Sequence, residues 1–181
     1  MVSRNKQNKK GVIMNKTNCK IGDIFKNLDE LFNEFVKLIG EKAFDDHWTG
    51  VLVVKCIDDH NTIRTKRMIS ADNPKAEKYG ILAPEKANRL HSFISSGHLT
   101  SYESRNPKSN VVIERGRNEK WGHWGGAVLI SKDFIFSFSG LPELLDEAFV
   151  CFLGLKSGLM SREQFNKIKK RRENNKYFKL L

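Results

Sequence analysis

The sequence predicts an α+β domain: a single antiparallel sheet of about five strands with helices on one face, in the order α-β-β-α-β-β-β-α, followed by a basic terminal helix or tail. Three observations carry that prediction. Apolar residues recur at spacings of three and four in separate stretches, as buried helix faces require. Short runs rich in valine or phenylalanine, each bounded by turn residues, lie between them. The 181 residues, 39% hydrophobic and 29% charged, suffice for one globular core.

Ile24, Leu28, Leu31, Phe32, Phe35, Leu38 and Ile39 write one apolar stripe on a helix between Asp23 and Gly40. Trp48 to Ile57 reads as a strand, Asp58-Asp59-His60-Asn61 as a turn and Thr62 to Ser70 as the returning strand of a hairpin. After a loop from Ala71 to Ala83, Pro84 suits the first turn of a second helix, which continues through Ala87, Leu90, His91 and Ile94 and stops at Ser95-Ser96-Gly97. Three more strands follow as an antiparallel meander: Asn110 to Arg115, Gly125 to Ser131 and Phe134 to Ser139, the last two joined at Lys132-Asp133. Alternation puts Phe134, Phe136 and Phe138 on the core side. Ser139-Gly140-Leu141-Pro142 then opens a helix with a face of Leu144, Ala148, Cys151, Phe152 and Leu155.

The net charge of +11 is unevenly spread. Residues 1–20 carry six bases and no acid, and residues 161–181 carry eight bases against Glu163 and Glu173, which leaves 21–160 at −1. The expected organisation is therefore a flexible basic tail over 1–20, a single domain over 21–160 and a basic helix or tail over 161–181. The longest near-apolar run, Ala148 to Leu155, is far short of the roughly 20 residues that cross a bilayer, so no transmembrane segment is expected. Cys19, Cys56 and Cys151 have no CxxC spacing and read as reduced thiols, which with the lack of a secretory pattern points to a cytoplasmic protein.

The last third carries a recognisable pattern: Gly125-Gly126-Ala127-Val128-Leu129-Ile130, the Lys132-Asp133 turn, Phe134 to Gly140, then Pro142-Glu143-Leu144-Leu145-Asp146-Glu147-Ala148. This resembles the GlcG/HbpS haem-binding-like family, whose members run a Gly-Gly strand, a tight turn, a strand ending in Ser-Gly and a helix opened by an acidic segment. The Pro84 to Phe93 helix, with Lys86-Ala87 inside it, looks like the family's middle helix. The resemblance implies a PAS- or profilin-like fold, homo-oligomers, and a pocket that in some relatives binds haem or another tetrapyrrole. The chain departs from the family where Val128 replaces a common proline, and where Phe134, Phe136 and Phe138 replace small residues, bulk that would fill a pocket.

Trp121-Gly122-His123-Trp124-Gly125-Gly126 concentrates two indoles, an imidazole and three glycines just before a strand. Indole faces stack on flat ligands, glycines admit close backbone approach and a neutral imidazole ligates iron, so Trp121, His123, Trp124, Gly125 and Gly126 are candidate contacts for a small ligand, with haem the candidate cofactor. The plainer alternative is a loop whose tryptophans cap the sheet. Asp146 and Glu147 complement the positive end of a helix; the family resemblance adds Asp146 as a ligand-holding residue. His91 and His98, two helical turns apart, cannot share a tetrahedral metal without a third element. No nucleophile elbow, P-loop, His-Glu-x-x-His or dinucleotide fingerprint occurs, so no catalytic residues are assigned. A different class of function remains open: an interaction module whose basic termini contact nucleic acid or another acidic partner.

Overall fold

The computed structural model describes residues 20–44, 49–58, 63–68, 76–105 and 124–181. Residues 1–19 of the expected basic tail over 1–20, the expected strand from Asn110 to Arg115, and Trp121 and His123 lie outside the described residues. Helix α1 (residues 20–26) runs, after an interruption at Asn27, into α2 (Leu28–Ile39). Strands β1 (Gly50–Cys56) and β2 (Ile63–Met68) form the predicted antiparallel hairpin. Helix α3 (Ala76–Phe93) follows, then β3 (Ala127–Leu129), β4 (Phe134–Ser139), α4 (Glu143–Lys156) and α5 (Arg162–Arg171), with a terminal 3-10 turn over Lys176–Lys179. The four described strands form one antiparallel sheet ordered β2-β1-β4-β3. Segment 99–101 lies along the outer edge of β3, where Thr100 bridges Val128.

Helices cover both faces of the sheet, which corrects the expectation of one. On one face Leu52, Val54, Val128, Phe136 and Phe138 join the apolar sides of α1, α2, α4 and α5 in the larger core. On the other, Val51, Val53, Ala127 and Ile135 pack against Ala83, Ala87 and Leu90 of α3. The reason is written in β1: Val51-Leu52-Val53-Val54 is an unbroken apolar run, and such a strand needs cover on both sides. Phe136 and Phe138 occupy the helix-facing core position that alternation assigned them, while Phe134 is only partly buried.

Pro84 is inside α3, not at its start, because the helix begins eight residues earlier. A proline can donate no backbone hydrogen bond, but the burial of Leu82, Ala83, Ala87 and Leu90 along the same helix outweighs that local cost. Residues 161–181 are likewise more than an appended tail. Phe165, Ile168 and Phe178 lie in the main core, so a boundary at 160 cuts through packed structure. No helix of the described residues is long and apolar enough to cross a membrane.

Candidate functional site

Of the residues singled out by sequence, Trp124, Gly125, Gly126 and Asp146 come together at the entrance to β3. Two helices on opposite faces of the sheet supply the charges that hold this segment. From α3, the buried Arg89 donates through Nη2 to the carbonyl of Trp124 at 2.6 Å, and through Nη1 to the carbonyl of Ser101 at 2.6 Å and to Ser104 Oγ at 2.7 Å. Its Nε donates to Glu85 Oε1, one turn earlier on α3, at 2.6 Å. From α4, the Glu143 carboxylate accepts the amide proton of Gly125.

Gly126 is where the backbone needs a glycine. Its φ is +118°, and a Cβ there would lie 2.8 Å from Asp146 Cβ, 2.8 Å from the Phe138 carbonyl oxygen and 2.9 Å from Lys86 Nζ. The close approach is therefore to the protein's own groups. Lys86 Nζ donates to Asp146 Oδ2 at 2.8 Å and to the Phe138 carbonyl at 3.0 Å, while Asp146 Oδ1 accepts from the Leu141 amide at 2.9 Å. Lys86 and Asp146 are both about 2% exposed. Burial pushes the Asp146 carboxyl up to about 6 against the opposing pull of the Lys86 ammonium and of the Leu141 amide. Partial burial, and secondly the charge of Asp146, raise the Tyr79 hydroxyl.

The neighbouring Glu147 belongs to a second buried pair. Arg172 Nε donates to its two carboxylate oxygens at 3.1 and 2.9 Å, and Asn175 Nδ2 donates to Oε2 at 3.1 Å and to the Leu144 carbonyl at 2.9 Å. The Arg172 guanidinium stacks 3.4 Å from the centroid of Tyr102. Burial lifts the Glu147 carboxyl to about 7, with Arg172 the chief opposing influence. Asp146 and Glu147, read from sequence as dipole-complementing carboxylates, instead tie α4 to α3 and to the C-terminal segment respectively. The amides of Leu145 and Asp146 both donate to the Pro142 carbonyl, at 2.8 and 3.0 Å.

A tetrapyrrole therefore fits only part of this set. The space above Gly126 is filled by Lys86 and Asp146, which serve as internal struts, whereas Trp124 is 44% exposed. His98 lies beyond the end of α3, past the left-handed Gly97, and stacks on Phe93 at 5.4 Å, so it does not share a helix face with His91. Among the described residues no group of three or more His, Cys, Asp and Glu side chains is arranged to hold a metal ion.

Sequence reasoning missed Lys86 and Arg89. Their signal was present: two cations three residues apart on a helix whose other positions, Ala83, Ala87 and Leu90, are apolar. Charges on a core-facing stripe need buried partners: Lys86 finds Asp146 at the start of α4, and Arg89 finds Glu85 on its own helix. Compared with protein-family models, with curated proteins and with solved structures, the chain matches none.

Proposed function

We propose that this chain is a small-ligand-binding domain of the GlcG/HbpS type, with its ligand surface on the rim carried by Trp124 and not over the glycines. The observation that carries this reading is the mounting of Trp124. A half-exposed indole sits on backbone fixed by Arg89 from one face of the sheet and, at the next residue, by Glu143 from the other. Rigid support beneath an exposed aromatic surface is what stacking on a flat ligand needs, because little freedom is lost on binding. Haem is the first ligand to test, with His123, next in sequence to Trp124, the imidazole we propose as the iron ligand.

Hemin titrations of the full chain and two variants test the reading. Trp124→Ala should weaken binding roughly tenfold through lost stacking, with the bound absorption band unmoved. His123→Ala should shift that band. Hemin binding that is non-saturable and disappears at high salt, alike in all three proteins, would refute it and favour adsorption to basic segments. The alternative of a nucleic-acid-binding module draws less support from the C-terminal charges than their number suggests. Arg172 is neutralised by Glu147, Arg171 pairs with Glu103 and Lys167 pairs with Glu163.

A further inference from the structure

Segment 97–105 is fastened on two sides. Toward the C-terminal segment, Arg171 Nη1 donates to Glu103 Oε1 at 3.0 Å and to the Gly97 carbonyl at 2.5 Å, and Tyr102 lies under the Arg172 guanidinium. The other oxygen of Glu103 accepts the amides of Leu99 and Thr100 at 2.5 and 2.8 Å. Toward the sheet, the Leu129 amide donates to the Leu99 carbonyl at 2.8 Å, the Ser101 amide to the Ala127 carbonyl at 2.9 Å, and the Ala127 amide to Ser101 Oγ at 3.0 Å. Arg89 then links Ser101 and Ser104 directly to the carbonyl of Trp124.

From this continuous path we infer that 97–105 is a brace through which docking of the C-terminal segment sets the position of the Trp124 rim, with Arg171 and Glu103 as its positioning residues. Arg171 is the adjustable member. Its side chain is 47% exposed, against 1% for Arg172, so an anion that captures its guanidinium can release Glu103 without opening the core. Glu103 matters because one carboxylate holds both the cation and the two amides that shape the segment beside β3. The brace rests on the proposed ligand surface only for its consequence; its existence is read without ligand, so failure of the hemin titration and failure of the brace are separate results.

Hydrogen exchange followed by NMR on the full chain tests it, because the Ala127 and Leu129 amides bond to the brace itself. Arg171→Gln or Glu103→Gln should speed exchange at both amides about tenfold, leave β1 amides unchanged, and be no more effective combined than alone. With Trp48→Phe and Trp121→Phe present, acrylamide quenching of Trp124 should rise about twofold in either variant. Lys167→Gln, which removes an exposed charge elsewhere on α5, should change neither reading. Unchanged exchange, an equal effect of Lys167→Gln, additive effects of the two substitutions, or faster exchange with unaltered Trp124 quenching would overturn the inference.

Discussion

Arg172→Met removes the buried cation that the sequence placed in a solvated tail. Arg172 is 1% exposed and Glu147 is fully buried, so the substitution leaves a carboxylate in the core with, among the described residues, Asn175 alone donating to it. Breaking a buried pair from one side costs about 3–5 kcal/mol. In a chain of this size that corresponds to a fall in melting temperature of about 6–20 °C. Protonation offers a partial escape, since burial already lifts the Glu147 carboxyl to about 7 in the intact pair. A carboxyl raised in the folded state contributes stability below its unfolded value, and that contribution is lost as pH rises through the folded value. Without the opposing guanidinium the folded value climbs further, so the penalty should be larger at pH 8 than at pH 6. Adding Glu147→Met should recover most of the loss, because apolar replacement of a whole buried pair is often neutral or stabilising. Urea unfolding followed by circular dichroism at both pH values measures all of this. A cost below about 1 kcal/mol at pH 8, or no recovery in the double variant, would refute the reasoning.

Truncation after Met160 removes the buried side chains of Phe165, Ile168 and Phe178 and strands Glu147, so the shortened chain should lose its cooperative thermal transition; retention of a melt within a few degrees of the full chain would contradict this. Phe136→Ala should cost about 3–5 kcal/mol in urea unfolding, the range for a fully buried phenyl ring, and a cost under about 1 kcal/mol would place the ring outside the core. Gly126→Ala should destabilise by about 2–4 kcal/mol, from the positive φ and from a methyl forced against the Lys86–Asp146 pair. A melting temperature unchanged by that substitution would show that the close packing there is relaxed at no cost.

The strands were legible where local chemistry and burial agree. Phe134–Ser139 places a ring at every second position between two turns, and the strand has the predicted bounds. The hairpin of β1 and β2 follows from turn residues flanked by valine-rich and alternating runs. What failed depended on contacts far apart in sequence. Pro84 looks like a helix start until the burial of Leu82 and Ala83 ahead of it is known. Arg172 looks like one base in a soluble cluster because Glu147, its partner, lies 25 residues away. The continuous apolar run Val51 to Val54 is the local signal for cover on both faces, which the expectation of a one-sided sheet leaves out. At the site, glycines and Asp146 were found together as the motif suggested, but their close approach serves the Lys86–Asp146 pair, which no local pattern connects.

The most direct test of the ligand-binding account is the stoichiometry of hemin bound by the full chain at physiological salt, read from the absorbance of the bound porphyrin. The account predicts saturation at about one hemin per chain, little changed by added salt and weakened by Trp124→Ala. Binding that never saturates, or that is abolished by salt and indifferent to Trp124, would contradict it.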